Sequence, residues 1–557
     1  MSTTSPLDDH AASRRWSLAD PVTLVVIFVV LLLLRRGYQL ISPEVWDEEG
    51  TQILRDFIAQ GPLAVFQPLN GYLVIAPRLL CGAAYLLSFA FYPYLSTIFT
   101  WLFILGVLLV IALHPSKLAG GGLLSLAVLL VPTDPETFGI PLYAFWWASL
   151  LLFVALFWDE RTRHLPWRLG CVILGGLSSP MIVPGLPLFW VRAVLYRRQW
   201  REWLLAGAAT LCFAVQVAII AGAGDVGRRP ALNAEVARAT LNKFFAYYAV
   251  GQIRVFREPW ILALVSILIL AVIGVALWRQ RRSPTLWFLG MLLFSAVALA
   301  ITRVDVAFLH PVHAGPRYFF FPYLLMSWLL LQIVYTERQT PWLRRTAQTL
   351  LAFSVVNAVP HFGRGHDDLD WRGHVASAVH FDRFAIPVQY DGAACRAWYL
   401  TVRGEQAAAL LARDPLARWN RNRAVYPFTA AVFDADAAET GRAAVGSLQN
   451  NGWHDATVPG TTPAGCVVFR STGQSESRTL TCRLRRGQAI LFRSSQKAFG
   501  VRVAVDGGQA AFATRVLPST AWTWLEFSNR LLPKTFTLTL EDRGTDPRQW
   551  AEVAVAR

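Results

Sequence analysis

The stretch Val45-Trp46-Asp47-Glu48-Glu49-Gly50 places three consecutive carboxylates just after the first hydrophobic segment of a chain in which charged residues make up only 16%. Adjacent carboxylates repel, so one can stay partly protonated while its neighbour takes up a proton, which is what a general base requires. Three carboxylates can equally hold Mg²⁺ or Mn²⁺. The plainer reading is a solvated acidic turn leaving a helix. A second acidic site, Asp134 and Glu136, lies in Pro132-Thr133-Asp134-Pro135-Glu136-Thr137, a Pro-bounded turn that these residues can simply solvate.

Cations and aromatics recur in the segments between apolar runs. Arg78 follows Pro77, just beyond the turn signal Pro68-Leu69-Asn70-Gly71-Tyr72. Lys243 and Arg254 share a segment with Phe244-Phe245-Ala246-Tyr247-Tyr248, and His310, His313, Arg317 and Tyr318 lead into a later apolar run. A transferase with a lipid-phosphate donor needs a carboxylate to take a proton from the acceptor hydroxyl. It also needs guanidinium groups to hold the departing phosphate through paired hydrogen bonds. Arg78 and Arg317 can also be read as interfacial anchors, and Lys243 and Arg254 as helix-surface cations. His310 and His313 have metal-compatible spacing, but no acidic residue or cysteine stands beside them. A nucleotide fingerprint, a phosphate-binding glycine loop and a GxSxG motif are all absent from the sequence. An enzyme of this kind draws its activated substrate from the lipid phase.

The elements that must position these residues are largely apolar. The chain has 557 residues, 54% of them hydrophobic, and a mean hydropathy of +0.39. The net charge of +16 does not point to nucleic acid, because many arginines sit in short clusters between apolar runs, where they set topology. The segment Pro21–Ile41 reads as an uncleaved first transmembrane helix behind a cytoplasmic tail of residues 1–20. Further spans are expected near Tyr94–Leu113, Leu118–Val131, Tyr143–Trp158, Arg168–Pro180, Ile182–Tyr196, Trp203–Gly222, Trp260–Trp278, Leu286–Thr302, Tyr318–Tyr335 and Leu343–Pro360. Tyr72–Phe91, interrupted by Pro77-Arg78, is expected to lie on or half in the outer surface. The fold class is therefore mainly α, a polytopic helical bundle of about 11 spans over residues 21–360. Its longer outer loops fall at 42–72, 132–141, 223–259 and 303–317 on the positive-inside rule, and everything after Pro360 lies outside.

From residue 361 to 557 the composition becomes that of a soluble domain. Glu405–Trp419 and Asp434–Asn450 read as helix or irregular structure. Beyond Gly465 the alternation in Ala489–Arg493, Val501–Val505 and Thr535–Leu540 indicates strands, with Asp506-Gly507-Gly508 as a hairpin turn. The chain is expected to end in a small β-sandwich. Cys81, Cys171 and Cys212 read as small core hydrophobes. Cys466 and Cys482 are either a disulfide or two free thiols, and Cys395 has no evident partner.

Trp46-Asp47-Glu48-Glu49-Gly50, then Gly71-Tyr72-Leu73, then Pro77-Arg78-Leu79, resembles the first outer loop of bacterial GT-C-type membrane glycosyltransferases, in particular the serotype-converting O-antigen glucosyltransferases. Gly315-Pro316-Arg317-Tyr318-Phe319-Phe320-Phe321-Pro322 is similar to a later Arg-Tyr pair of that pattern. The likeness covers the membrane region and is most specific in the first loop. It implies a multi-pass protein of a bacterial inner membrane with a periplasmic C-terminal domain. The implied reaction is inverting transfer from a polyprenyl-phosphate sugar to an envelope glycan or lipid-linked acceptor. Glu48 and Glu49 then occupy the acidic pair, and Asp47 is an additional carboxylate where the pattern has a neutral residue, which leaves three candidates for the base. Arg317 would contact the donor phosphate, with Arg78 and Tyr318 beside it. Asp134, Glu136, Tyr72, Lys243, Arg254 and His313 are candidate donor or acceptor contacts. The competing expectations are aminosugar or mannose transfer to lipid A or protein, and a transporter or flippase of polyprenyl-linked glycan. The latter calls for charged residues in mid-span and internal repeats, and the sequence shows neither clearly.

Overall fold

The computed structural model describes residues 20–162, 164–223, 233–251, 258–366, 368–389, 398–420, 425–432, 448–451, 454–456, 466–472, 478–494, 501–506, 512–515, 522–542 and 550–556. The apolar runs form helices α1 (Pro21–Ile41), α2 (Ile75–Leu87), α3 (Tyr92–Leu113), α4 (Gly121–Leu129), α5 (Ala144–Phe157), α6 (Leu165–Gly176) and α7 (Ile182–Leu195). They continue as α8 (Trp200–Gly222), α9 (Pro259–Arg279), α10 (Pro284–Arg303), α11 (Arg317–Thr336) and α12 (Pro341–Ala358). Beyond them lie α13 (Trp371–Ala378) and α14 (Gly404–Arg413).

Among the described residues, six helices are long and apolar enough to cross a membrane, namely α1, α3, α8, α9, α10 and α11. The chain is thus read as a multi-pass membrane protein, but the expected count of about 11 spans is not reached. The remaining runs are cut short by Gly, Pro and Ser-Pro breaks. Helix α4 has nine residues, α6 has twelve, and α12 carries Arg344-Arg345 within its eighteen.

Contact clustering divides the chain into two compact units. One comprises residues 1–42, 65–80 and 97–365, and the other 43–64, 81–96 and 366–557. In the first, α1 starts cleanly because Asp20 caps it, accepting from the Val22 and Thr23 N–H groups at 3.3 and 3.0 Å, with Pro21 in the first turn. Its buried stripe of Leu24, Phe28, Leu32, Arg35, Arg36 and Gln39 follows helical spacing. Helices α5 and α11 are apolar on nearly every face and form the core, with Trp147, Phe320, Phe321 and Trp328 all buried. The ends of α5 to α8 are tied by a buried ionic network. Glu202 on α8 accepts from Arg168 at 2.7 Å and from Arg192 Nε at 2.7 Å, and Arg192 also donates to the Leu156 and Trp158 carbonyls.

The second unit holds the strands: β1 (Arg383–Val388), β2 (Trp398–Arg403), β3 (Thr429–Val432), β4 (Leu448–Asn451), β5 (His454–Asp455), β6 (Cys466–Thr472) and β7 (Arg478–Arg485). They continue as β8 (Ala489–Ser494), β9 (Val501–Asp506), β10 (Phe512–Arg515), β11 (Thr523–Glu526), β12 (Thr535–Asp542) and β13 (Trp550–Ala556). β1 and β2 pair as an antiparallel ribbon. The others form a five-stranded sheet, β10-β9-β12-β7-β4, and a six-stranded sheet, β3-β11-β8-β13-β6-β5. Alternate residues of the two sheets, including Leu480, Leu484, Phe492, Val503, Leu538 and Val553, share one core, which gives the expected sandwich.

Two expectations need correction, and one left open between two alternatives is decided. Strands begin at Arg383 rather than near residue 465: Pro387 interrupts the pattern of β1, and β3 and β4 have only four residues each. Leu448–Asn451, assigned to helix or irregular structure, is β4, while 433–447 lie outside the described residues. Cys466 and Cys482 are free thiols. They stand in different sheets, Cys482 facing the sandwich core and Cys466 the opposite side of the six-stranded sheet. Cys395 and the Gly507-Gly508 turn lie outside the described residues, although β9 and β10 pair antiparallel as expected.

Candidate functional site

The acidic turn belongs to the second unit and is built onto the end of β1. The Gln389 N–H donates to the Val45 carbonyl at 2.7 Å, and the Asp47 N–H donates to the Gln389 carbonyl at 2.8 Å, a parallel bridge. Trp46 between them is buried and meets His366 edge-on, with ring centroids 5.5 Å apart. Asp47 then takes a φ of 35°, in the left-handed region that Asp enters more readily than bulky residues. The chain turns sharply there, so the Glu49 and Gly50 N–H groups reach the Trp46 carbonyl at 2.8 and 3.4 Å. A π-helical segment, Glu49–Leu54, follows, and the Thr51 hydroxyl donates to the Asp47 carbonyl at 3.1 Å. Gly50 is demanded by space, since a Cβ there would lie 2.4 Å from Val388 Cγ1 and 3.0 Å from Val45 Cγ1.

This geometry separates the three carboxylates. Asp47 and Glu48 are half-buried, whereas Glu49 is 0% exposed. Glu49 Oε2 accepts from the Trp46 N–H at 3.4 Å, and Oε1 accepts from the Ser96 hydroxyl at 3.5 Å. Burial pushes the Glu49 carboxyl up to about 8; hydrogen bonding from Tyr92, the Trp46 N–H and Ser96 opposes the rise, and the Asp47 charge adds to it. Burial thus favours the protonated form of Glu49. Glu44, buried in the same loop, accepts from the Leu369 N–H at 2.8 Å and is raised well above the carboxylate range, chiefly by burial.

A second constellation lies in the first unit. Glu136, in a short 3₁₀ turn (Pro135–Thr137), accepts from the Arg317 guanidinium at 2.5 Å, from the Arg317 backbone N–H at 3.2 Å and from the Tyr143 hydroxyl at 3.0 Å. A carboxylate at the first residue of α11 is favoured by the helix dipole and holds the guanidinium where it stands. The Arg317 side chain remains 34% exposed, over the rings of Tyr143 and Tyr318. Asp134 pairs with Arg364. Burial raises its carboxyl, opposed by the charges of Arg364 and Arg36 and reinforced by Glu136. Arg35 and Arg36 are both buried at the end of α1. Arg35 donates to the Val131 and Thr133 carbonyls at 3.1 and 3.0 Å and stacks over Phe138 and Phe362. Burial, together with the charges of Arg35 and His313, depresses His361 to about 4. Four guanidinium groups (Arg35, Arg36, Arg317, Arg364) thus stand with two carboxylates (Asp134, Glu136), a cluster whose balance suits an anion.

Other expected residues have local tasks. Lys243 donates to the Val306 and Ala307 carbonyls at 2.7 and 2.8 Å, and burial lowers its pKa. Arg78 is buried and donates to the Pro68 carbonyl at 3.1 Å. Tyr72 packs edge-on to Phe145, and His313 stacks on His310, whose Nδ1 accepts from the Val312 N–H at 3.2 Å. Arg254 lies outside the described residues. Among the described residues no group of three or more His, Cys, Asp or Glu is arranged to hold a metal ion. Sequence reasoning passed over Arg35-Arg36, Glu44 and Gln389. Two arginines closing an otherwise apolar span were a usable signal; the role of Gln389 depends on a pairing remote in sequence.

No protein-family model matches the chain, and no match was found among the curated proteins. Among solved structures, the arabinosyltransferase EmbB from Mycobacterium smegmatis aligns over 100% of this chain at 12% identity, with a TM-score of 0.27. The chain spans 65% of the length of that protein.

Proposed function

We propose that the chain is a polytopic membrane glycosyltransferase. It moves a sugar from a polyprenyl-phosphate donor to an envelope glycan or lipid-linked acceptor at the outer face of a bacterial inner membrane. The observation that carries this reading is the construction of the acidic turn. Two half-buried carboxylates, Asp47 and Glu48, are held by a β-bridge and a buried tryptophan in a motif resembling the first outer loop of GT-C-type enzymes.

In the proposed reaction a first-loop carboxylate takes the proton of the acceptor hydroxyl while the hydroxyl oxygen bonds to the anomeric carbon. The bond from that carbon to the phosphate oxygen breaks in line, and polyprenyl phosphate leaves as an anion with inversion at carbon. The leaving group is already charged, so it needs a cationic partner rather than a strong acid.

The test is transfer by the purified full-length protein from a panel of polyprenyl-phosphate hexoses and pentoses. Among D47N, E48Q and E49Q, at least one is expected to lower turnover by about 100-fold or more, in line with loss of a general base. Full turnover in all three variants, or no transfer by the wild type from any donor of the panel, would overturn the reading.

A further inference from the structure

We infer that Glu49 is a neutral positioning residue that locks the acidic turn, and that proton acceptance falls to Asp47 or Glu48. The inference rests on the glycosyl-transfer reading and narrows it from three candidate bases to two.

Position argues first. A general base must reach the acceptor oxygen, directly or through one water. Glu49 is fully enclosed, at the first position of the π-helical segment, with its carboxyl spanning from the Trp46 N–H to the Ser96 hydroxyl. Asp47 and Glu48 keep part of their surface exposed.

The surroundings give the second argument. Glu49 faces Tyr92 and Ser96 from α3, Asp47 from its own turn, and Cys81 through Tyr92. Among the described residues none of these is a cation; the hydrogen bonds from Tyr92, Ser96 and the Trp46 N–H offset burial only in part, and the enclosed group is favoured with its proton. A protonated carboxyl still accepts through its carbonyl oxygen and can donate through its hydroxyl, so it ties the turn to α3 without a net charge.

The lock also has a second side. Beyond Glu49, Gly50 lets Val388 approach within contact distance, and the Gln389 bridge fixes Asp47 in its left-handed conformation. The turn is held from α3 by Glu49 and from β1 by Gln389, which leaves Asp47 and Glu48 as the carboxylates it presents.

Gln reproduces the shape and hydrogen bonding of a protonated Glu, whereas Ala removes both. E49Q is expected to keep turnover within about threefold of wild type with an unshifted pH–rate profile, and E49A to lose about tenfold or more. D47N or E48Q is expected to lose about 100-fold or more. Loss of transfer in E49Q with D47N and E48Q both active would overturn the assignment. A measurement independent of transfer is infrared difference spectroscopy of the full-length protein. Because Glu44 is raised as well, the expected signal is one component of the protonated-carboxyl absorption, present in wild type at neutral pH, missing from E49Q and lost at alkaline pH. Identical spectra for wild type and E49Q would contradict a neutral Glu49 even if the donor panel failed to reveal any transfer.

Discussion

At the scale of single residues, Gly50 and Glu49 carry the most exposed claims. A methyl group at Gly50 would meet Val388 Cγ1 at 2.4 Å, so either the turn or β1 has to move. G50A is expected to destabilise the protein by about 1–3 kcal/mol, the usual range for overpacking, and to lower its melting temperature in detergent. For Glu49 the sign of the pH effect follows from its raised pKa. Between the ordinary carboxyl value of 4.5 and the folded value of about 8, the folded protein holds a proton that the unfolded chain has released. The stability contributed by this group is full below pH 4.5 and is lost as pH rises toward 8. Thermal melts of wild type should therefore weaken across this window more than those of E49Q, and parallel curves would show that Glu49 ionises normally.

At the scale of elements, the ends of α5 to α8 depend on one carboxylate. Glu202 lies between Arg168 and Arg192, with all three side chains at most 3% exposed. Replacing a buried ion pair by apolar groups can be neutral, but removing one partner strands the other charge. E202A leaves Arg168 without its carboxylate and Arg192 with only Glu160 at 3.6 Å, and a loss of about 3–5 kcal/mol or failure to fold is expected. Thermal unfolding of detergent-solubilised E202A, beside the Arg168→Met/Glu202→Leu double variant, checks this: the double variant should recover part of the loss. Elements were also where the sequence could be read best. Apolar runs such as Trp203–Gly222 and Trp260–Trp278 became α8 and α9 almost at the expected bounds, because a long apolar run has few ways to satisfy its backbone other than as a helix. Among the early strands, β1 was hidden by Pro387 and β3 and β4 by a length of four residues, and β1 acquires its importance only from Gln389 meeting Val45 and Asp47. Likewise the motif Trp46–Gly50 was visible as an acidic cluster, but the inequality of its carboxylates was not, because burial of Glu49 is decided by Ser96 and the α3 start rather than by its neighbours in the chain.

At the scale of the whole molecule, the first loop is not an appendage of the membrane helices. Residues 43–64 and 81–96 group with 366–557 in one compact unit. Trp371 Nε1 donates to the Phe89 carbonyl at 3.0 Å, and Asp414 accepts from the Ser88 hydroxyl at 2.7 Å and the Ala90 N–H at 2.9 Å. Truncation after residue 365 removes every one of these partners, together with Gln389, Val388 and Leu369. The truncated protein is expected to expose the 43–64 segment to protease and to lose transfer, even if its membrane helices still assemble. Retained transfer would show that the acidic turn forms without the C-terminal region.

The central claim is inverting transfer from a polyprenyl-phosphate donor with a first-loop carboxylate as base. Its most direct test is a single-turnover reaction of the purified protein with a donor of defined anomeric configuration, with the product linkage read by NMR. The account expects an inverted linkage, released polyprenyl phosphate, and loss of both in D47N or E48Q. A product of retained configuration, or an inverted one formed at full rate by both variants, would contradict it.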